Sequence, residues 1–165
     1  MKTDDLVGPE VLGRHHQTAG FDCGAPSLDR YLTQRARVDH VEGRARVYVA
    51  SRRQRVVGYF SLVPARIEPR DTEHEAAGSG GVVALLIARL AVDKREQRRG
   101  LGSALVIDAL RRLAAAADSI GAQVVLARAT DAGSVALYRK MGFAASPTDP
   151  AHAVLRVASI RVSLK

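Results

Sequence analysis

The distribution of apolar residues is most informative in the second half of the chain. Val82 to Val92 is an almost wholly apolar run, which is typical of a central strand buried on both faces. The pattern then changes to a helical period between Leu101 and Ile120, and the apolar side chains that recur there are Val106, Leu110, Leu113, Ala117 and Ile120. Gly121 follows as the expected end of this helix. The sequence therefore predicts a strand followed by a long amphipathic helix.

The first part of the chain predicts one helix behind a loose tail. Residues 1–10 show no regular pattern and are expected to form the tail. Ser27 is a suitable N-cap for a helix from Leu28 to about Val41, and Gly43 is placed to end it.

A hairpin is predicted next. Arg46–Ala50 and Val56–Val63 are rich in β-branched and aromatic residues, and the polar segment Arg52–Arg55 lies between them. Pro64 is expected to end the second strand, since proline donates no ladder hydrogen bond. The polar, glycine-rich segment from Arg66 to Gly81 predicts a long loop.

The C-terminal part predicts a strand, a short helix and closing strands. Val124–Arg128 is the strand, and Gly133–Met141 is the helix, which Gly142 ends. Phe143 begins a further strand, and Ala153–Val157 ends the sheet. This order of elements predicts a single α/β domain over all 165 residues, with a mixed sheet and helices on both faces.

Charge and composition restrict the classes of function. The net charge is +8 and the isoelectric point is about 10.4, which favours a polyanionic partner. Nearly all of this charge comes from arginine, and codon composition alone produces the same bias. Aromatic residues make up only 4% of the chain, so an extended base-stacking surface is not expected.

The chain shows no pattern of a secreted, membrane-spanning or metal-binding protein. No signal-peptide pattern opens the sequence, and the longest purely apolar run, Val82–Ala88, is too short to cross a bilayer. The single cysteine, Cys23, excludes an intramolecular disulfide and fits a reducing cytoplasm, where we expect the protein to act. The five histidines are expected at the surface, and no Cys/His spacing predicts a metal site.

A basic, glycine-rich turn joins the central strand to the long helix. Its sequence is Gln97-Arg-Arg-Gly-Leu-Gly102. Glycines let the backbone approach an anion, the first N–H groups of a helix attract it, and two arginines add positive charge. No Gly-Lys-Ser/Thr follows, so this is no Walker A motif, and the spacing does not fit a Rossmann fingerprint. The pattern favours a pyrophosphate-binding turn over a plain helix-capping loop.

Tyr138 follows this turn after one strand and one helix, with Gly142-Phe143 just beyond it. That order resembles the acetyl-coenzyme A site of the GNAT acetyltransferases. The resemblance implies that Tyr138, a phenol with an ordinary pKa of about 10, is a general acid for the departing thiolate. Without the surrounding motif, a packed tyrosine with its hydroxyl at the surface would be the simpler interpretation. Backbone N–H groups at a bulge near Leu90–Val92 are expected to stabilise the tetrahedral intermediate.

No acidic residue is marked as a general base. Asp93 and Glu96 lie near the turn in sequence, but both fit a solvated loop better. A lysine ε-amine, with a pKa of about 10.4, needs a base to lose its proton, whereas an α-amine at about 7.7–8.0 is partly neutral already. The sequence therefore favours an α-amine as acceptor.

Several arginines are candidates for contact with an anionic substrate. Arg89 interrupts the apolar strand, and either an anion contact or a salt bridge at a solvated sheet end explains it. A further basic cluster consists of Arg35, Arg37, Arg44 and Arg46, which has a solvated face as its ordinary interpretation.

Longer motifs resemble the tRNA-acetylating GNAT toxins of type II toxin–antitoxin pairs, of the TacT and AtaT kind, over nearly the whole chain. They are Phe21-Asp-Cys-Gly24 with Leu28, Asp29 and Leu32; Gly43 to Val49; Val57 to Leu62; Ile87 to Asp93; Arg99-Gly-Leu-Gly102; and Leu137-Tyr138 with Gly142-Phe143. The Arg89–Asp93 block and the Phe-x-Cys-Gly opening are more specific than the glycine turn. One departure is Asp131-Ala-Gly-Ser134, where these toxins often have an acidic, alanine-rich helix start, and Gly133 is expected to weaken that turn slightly.

The resemblance implies a GNAT fold, with a mixed, mostly antiparallel sheet, and an enzyme that needs no metal. Its activity is acetyl transfer from acetyl-CoA to the α-amine of aminoacyl-tRNA, which blocks translation, with Tyr138 as catalytic acid. The residues expected to bind acetyl-CoA are Leu90, Ala91, Val92, Gln97, Arg98, Arg99, Gly100, Leu101, Gly102, Ser103 and Ser134. Those expected to bind tRNA are Arg35, Arg37, Arg44, Arg46 and Arg89. The expected partners are a cognate antitoxin, for instance a ribbon–helix–helix protein, and a second copy of the chain in a homodimer.

Two other functions stay open at this point. One is a GNAT enzyme that acetylates a protein N-terminus or a small amine such as an aminoglycoside. An aminoglycoside site should be acidic, and the net charge of +8 argues against that. The other is a non-catalytic module that binds RNA or an antitoxin, against which the intact Tyr138 and glycine turn argue.

Overall fold

The computed structural model describes residues 5–67, 82–129, 131–147 and 149–163. The chain divides into two compact units. The first is Met1–Leu62 with Arg89–Leu105, and the second is Val63–Ala88 with Val106–Lys165. The single domain over all 165 residues stays a prediction. Most of the long loop expected at Arg66–Gly81 lies outside the described residues.

The described residues form a seven-stranded sheet in the order β1-β2-β3-β4-β5-β7-β6. The strands are β1 (Val7–Val11), β2 (Arg46–Arg52), β3 (Arg55–Ile67), β4 (Val82–Val92), β5 (Val124–Arg128), β6 (Ala144–Ala145) and β7 (His152–Arg156). Pairing is antiparallel for β1–β2, β2–β3, β5–β7 and β6–β7, and parallel for β4–β5. The sheet is therefore mixed and mostly antiparallel, as predicted.

Three sequence predictions are corrected in the strands. Residues 1–10 are not wholly a loose tail, because Val7–Val11 pairs with β2. Pro64 does not end β3, which continues to Ile67. The ladder with β2 stops at Leu62, opposite Arg46, so that ladder does not need the N–H that Pro64 lacks. The strand predicted at Ala153–Val157 does end the sheet in chain order, as β7, but it stops at Arg156, and Val157 begins a helix that was not predicted.

The predicted hairpin is confirmed, with a two-residue turn. Arg53 and Gln54 have φ angles of 49° and 67°. Positive φ at both central residues is the mark of the type I′ turn, whose twist matches that of the flanking strands. The hairpin therefore places β2 and β3 side by side, with Tyr48 opposite Phe60.

The helices are α1 (Pro26–Arg30), α2 (Ala36–Val41), α3 (Leu101–Ile120), α4 (Ala132–Lys140) and α5 (Val157–Ser163). A single π-helical turn, Tyr31–Arg35, connects α1 to α2. Within the described residues no helix has the length and apolar character needed to cross a membrane. The predicted bounds of α3 and β4 are confirmed, whereas α5 was missed because Val157 had the β-branched character of a strand.

The cap predicted at Ser27 is wrong. Ala25 is the N-cap of α1, with no side-chain hydrogen bond, and Pro26 begins the helix. Proline at this position is already fixed near helical φ and lacks an N–H that no helix would use, so it starts the helix before Ser27. At the other end, Gly43 has a φ of +77° and its N–H donates to the carbonyl of His40, as the predicted terminator should.

The second unit has its core around the parallel pair of strands. The buried residues Val82, Ala84, Val124 and Leu126 form this cluster, against which Ala65, Leu86 and Val154 pack. Ala84 lies opposite Val124 and Ile87 opposite Ala127 in the β4–β5 ladder. This central packing explains the nearly continuous apolar pattern of β4 in the sequence.

Candidate functional site

The glycine turn in the first unit brings most of the predicted anion-binding residues together. Arg98 and Gly100 have φ angles of 65° and 84°, which turn the chain sharply between the end of β4 and the start of α3. Ala104 N–H donates to the carbonyl of Gly100 at 3.1 Å, the first bond of the helix ladder. The N–H groups of Leu101, Gly102 and Ser103 therefore come before that ladder, where a helix attracts anions.

A second glycine fixes the start of α3 against β3. A Cβ at Gly58 would lie 3.1 Å from a methyl of Leu105, 3.3 Å from a methyl of Leu101 and 3.5 Å from the carbonyl oxygen of Ala91. The first two of these distances are tighter than most Cβ contacts, so the absence of a side chain at Gly58 lets the helix approach closely. The position of the helix N-terminus thus depends on a residue that lies in a different strand.

Asp93 and Glu96 are buried, so the prediction of a solvated loop is wrong. They are only 1% and 7% exposed. The Asp93 carboxylate accepts hydrogen bonds from the N–H of Asp22 and from the N–H and side chain of Arg95. Burial alone would raise the pKa of Asp93, but the Arg95 side chain and these N–H groups outweigh it and hold the pKa below its ordinary value. Asp93 is therefore a structural carboxylate and a poor general base.

Glu96 is likewise held by a partner that is remote in sequence. Its carboxylate lies 3.1 Å from the Arg52 guanidinium, and Arg99 approaches it at 3.8 Å. The ion pair with Arg52 joins the segment before the glycine turn to β2. No local sequence pattern predicts this pair, because its two members are 44 residues apart in the chain.

Gln97 departs from its predicted role in one respect. Its side-chain amide donates to the carbonyls of Val92 and Cys23, so the side chain is engaged within the protein. Its backbone stays a predicted part of the anion-binding turn. Cys23 itself is no candidate nucleophile, because burial raises the pKa of its thiol to about 11.

In the second unit, Tyr138 is a buried residue of α4. Its side chain is 1% exposed, and its ring meets Phe143 edge-on with centroids 5.2 Å apart. The expected alternative, a hydroxyl at the surface, does not describe this side chain. Burial raises the pKa of Tyr138 above its ordinary value, so the phenol carries its proton at neutral pH. It has the protonation state that a general acid requires.

A capping box holds the start of α4. Ser134 N–H donates to the Asp131 carboxylate at 2.7 Å, while the Ser134 hydroxyl bonds back to the Asp131 backbone. A Cβ at Gly133 would lie 3.3 Å from that carboxylate oxygen, so glycine relieves crowding here. Both polar groups of Ser134 serve the helix start, and its part in cofactor binding stays a prediction.

The predicted tRNA-binding arginines differ in how far they are neutralised. Arg44 pairs with Asp39 at 3.0 Å and also with Glu42, and Arg35 lies 3.9 Å from Asp39. Arg37 donates to the carbonyl of His16. Arg46 is exposed, and Arg89 lies over the ring of Tyr31, 3.7 Å from its centroid. Among the described residues no carboxylate forms an ion pair with Arg46 or Arg89.

The prediction that all five histidines are at the surface is wrong for His16, which is 2% exposed. Its Nδ1 accepts a hydrogen bond from the Gly13 N–H at 2.8 Å, and its Nε2 lies 2.9 Å from Glu10. Glu10, His15 and His16 bring three atoms of metal-ligand type within 4.8 Å of one another. An imidazole that accepts at Nδ1 carries its proton on Nε2, so Nε2 has no lone pair for an ion. The donor set fits a hydrogen-bonded pair, and the absence of a metal stays a prediction.

Comparison with known proteins identifies the class. The model of the acetyltransferase (GNAT) domain matches residues 43–145. The chain therefore belongs to the GNAT acetyltransferase family, as its motifs predicted. A protein named tRNA-acetylating toxin, from Mycobacterium tuberculosis, is 39% identical over 155 residues and 93% of each chain. A probable toxin TacT from Sinorhizobium fredii is 30% identical over 159 residues and 88% of each chain.

Solved structures show the same fold. AtaT complexed with acetyl-methionyl-tRNAfMet is 22% identical, with a TM-score of 0.89 over 98% of this chain and 100% of that chain. AtaTR bound with acetyl-CoA is 22% identical, with a TM-score of 0.84 over 99% and 100% of the two chains. The KacTA–DNA complex is 23% identical, with a TM-score of 0.82 over 97% and 98%. The predicted GNAT fold is thereby confirmed.

Proposed function

We propose that this protein is a toxin that transfers an acetyl group from acetyl-CoA to the α-amine of aminoacyl-tRNA and thereby blocks translation. The observation that carries the proposal is the 39% identity, over 93% of each chain, to a protein named tRNA-acetylating toxin. This similarity extends over 155 residues and is therefore not confined to the glycine turn.

The glycine turn is the proposed binding site for the pyrophosphate of acetyl-CoA. Support comes from the positive φ of Gly100, the open space around its Cα, and the exposed guanidinium groups of Arg98 and Arg99. The N–H groups at the start of α3 supply further donors. The backbone of Leu90–Val92, at the end of β4, is the proposed contact for the acyl end of the cofactor.

The reaction replaces a thioester bond with an amide bond. The neutral α-amine attacks the acetyl carbonyl carbon, so a C–N bond forms and the C–S bond breaks. Tyr138 is the proposed donor of the proton that the departing sulfur takes up, and the proton lost by the amine restores the phenol. Its raised pKa keeps that proton available at neutral pH.

An α-amine remains the acceptor that this chemistry favours. Asp93 and Glu96, the acidic residues nearest the turn in sequence, are both engaged by arginines. An amine with a pKa of about 7.7–8.0 needs no strong base, unlike a lysine at about 10.4. The net charge of +8 and the predicted arginines then supply attraction for the RNA part of the substrate.

The proposed partners follow from the relatives. AtaT has been solved with an acetylated methionyl-tRNA and, in AtaTR, with acetyl-CoA, while KacTA has been solved on DNA. We propose a cognate antitoxin for this chain, of the ribbon–helix–helix kind, and a homodimer of the toxin in the cytoplasm. Co-purification with the product of the adjacent gene, followed by light scattering, tests the antitoxin and the dimer together.

The activity is tested with purified protein, labelled acetyl-CoA, and bulk tRNA in charged and deacylated forms. We expect label on charged tRNA alone, recovered as N-acetylated amino acid after ester hydrolysis. Use of tRNA should weaken steeply with salt, with a log–log slope of roughly −0.7 to −0.9 per phosphate contact. If charged tRNA stays unlabelled while a protein N-terminus or a small amine is labelled efficiently, the toxin proposal is wrong and the protein is a GNAT enzyme with another acceptor. Failure to acetylate any amine while still binding RNA or antitoxin would indicate a non-catalytic module.

A further inference from the structure

Among the described residues no carboxylate forms an ion pair with Arg89. This arginine interrupts the apolar strand β4 and is only partly exposed. Its guanidinium carbon lies 3.7 Å from the ring centroid of Tyr31. No ion pair or hydrogen bond joins it to any residue in the described ranges. A partly exposed guanidinium with no carboxylate partner remains available to an anion of the substrate.

The ring beneath Arg89 is held by a stack of aromatic residues. Tyr31 is 6% exposed, and its ring stacks on that of Tyr59 with centroids 6.2 Å apart and planes 21° apart. The Tyr59 hydroxyl donates to the carbonyl of Leu28 at 2.7 Å, while Phe21 meets the Tyr59 ring edge-on. These contacts fix Tyr31 as a platform under the guanidinium.

The π-helical turn is what places Tyr31 there. It begins at Tyr31 and interrupts an otherwise α-helical segment, and such turns occur frequently at functional sites. The Tyr31 hydroxyl is buried and completes no hydrogen bond of normal geometry with a described residue, although the nearby Asp39 carboxylate adds to burial in raising its pKa to about 12. The hydroxyl thus lies near Asp39, whereas the face of the ring is what contacts Arg89.

An arginine on an aromatic face keeps its hydrogen-bonding capacity. The cation–π contact uses the positive charge but none of the five N–H donors. A guanidinium so held is well suited to bind a phosphate through two parallel hydrogen bonds. In an aminoacyl-tRNA the carboxyl group of the amino acid is an uncharged ester, so the anions nearest the α-amine are backbone phosphates.

We propose that Arg89, held on the ring of Tyr31, binds a backbone phosphate at the 3′ end of aminoacyl-tRNA, so that the enzyme requires a phosphodiester next to the aminoacyl ester. This inference rests on the proposed function and names the chemical group by which that substrate is recognised. Arg89 contacts substrate, whereas Tyr31 is a positioning residue that acts through Arg89.

Two minimal substrates separate the phosphate from the reacting amine. One is an aminoacylated CCA trinucleotide, which has phosphodiesters, and the other is 3′-aminoacyl-adenosine, which has none. For Arg89→Gln we expect kcat/KM to fall roughly 10- to 100-fold on the trinucleotide and to stay unchanged on the nucleoside. An equal fall on both substrates, or no fall on the trinucleotide, overturns the proposal.

Variants of Tyr31 test the platform. Tyr31→Phe keeps the ring and removes only the hydroxyl, so it should retain discrimination between the two substrates. Tyr31→Leu should lose discrimination while acetyl-CoA affinity, measured by calorimetry, stays unchanged. Loss of discrimination in the Phe variant would move the role from the ring to the hydroxyl and contradict the proposal. Arg30→Ala, one exposed charge in the same helical segment, is the control and should preserve discrimination.

Direct binding distinguishes failure of this inference from failure of the proposed function. Deacylated CCA trinucleotide should bind to the wild type more tightly than to Arg89→Gln, by roughly tenfold, whether or not any acetylation occurs. If tRNA is not acetylated but this difference remains, the phosphate site stands without the reaction. If tRNA is acetylated and the difference is absent, the reaction stands and Arg89 has another role.

Discussion

The side-chain nitrogen of Gln97 donates a 2.7 Å hydrogen bond to the carbonyl oxygen of Val92, the last residue of β4. The same nitrogen donates to the carbonyl of Cys23 at 2.9 Å. Both N–H groups of the amide are thus used within the protein. Gln97 fixes the end of the strand to the loop before α1, and its side chain has no donor left for a pyrophosphate.

The substitution Gln97→Glu tests these two hydrogen bonds of the Gln97 side chain. The carboxylate has the same shape but no donor, and it faces two carbonyl oxygens. Gln97 is exposed, so water can replace part of what is lost, and we expect the free energy of unfolding in urea to fall by about 1 kcal/mol. Arg99→Gln, in the same turn, is the control and should change stability by less than about 0.5 kcal/mol. If stability is unchanged and acetyl-CoA binding is weakened, the Gln97 side chain contacts the cofactor, and these hydrogen bonds do not stabilise the fold.

Gly100 gives a test of the anion site that separates charge from shape. Its φ is +84°, and a Cβ there would meet nothing within 4 Å. Asn and Asp tolerate this backbone conformation about equally and differ only in charge. Gly100→Asp should therefore bind acetyl-CoA roughly tenfold more weakly than Gly100→Asn, a difference of ~1.4 kcal/mol. If calorimetry gives the two variants equal affinity for acetyl-CoA, the pyrophosphate does not bind at this turn.

Tyr138→Phe should keep the fold and acetyl-CoA affinity but lower kcat by roughly 10²–10⁴-fold, the usual cost of a lost general acid. Because burial raises the pKa of Tyr138, the wild type should show no loss of kcat from this residue below about pH 10. The protonated phenol also contributes to stability, and this contribution is complete below the unfolded pKa of about 10. Above that pH the unfolded phenol ionises first, so the free energy of unfolding should fall as the pH rises further. Full turnover in the Phe variant would leave Tyr138 with a packing role alone.

The parts of the fold that sequence predicts well are those with a strong local pattern. β4 and α3 have the predicted bounds. An unbroken apolar run and a sustained helical period are local patterns strong enough that contacts with distant residues do not change the element they predict. The glycine turn between them was found for the same reason, since Gly100 and Gly102 are strong local signals. The position of this turn was therefore predictable from spacing, whereas its role in binding acetyl-CoA stays a prediction.

The parts that sequence missed depend on partners distant along the chain. Asp93 is buried because its carboxylate receives the N–H of Asp22, and Glu96 because it receives Arg52. The π-helical turn at Tyr31 has no local sequence signature. The contact between the Tyr31 ring and Arg89 joins residues that are distant along the chain, so local patterns could not predict it. The Phe-x-Cys-Gly motif was the available signal, since it marked a loop whose backbone is tied to the residues before the glycine turn.

Asp93→Asn gives a prediction with a defined pH dependence. The folded pKa of Asp93 is lowered, so its contribution to stability is complete above the unfolded pKa of about 3.9 and is lost as the pH falls through the lower folded value. An asparagine amide would also direct a donor at the N–H groups of Asp22 and Arg95 or leave them with a weaker acceptor.

We expect Asp93→Asn to lower the free energy of unfolding by roughly 1–3 kcal/mol at pH 7, and the gap from the wild type to narrow below about pH 4. Urea unfolding across this pH range measures both values. Asp108→Asn removes the partly exposed partner of Arg112 on α3, 2.6 Å away, and is the control, with an expected loss of about 0.5 kcal/mol or less. A gap for Asp93→Asn that stays constant from pH 7 to pH 3 would mean that the lost packing or geometry, and not the carboxylate charge, carries the stabilisation.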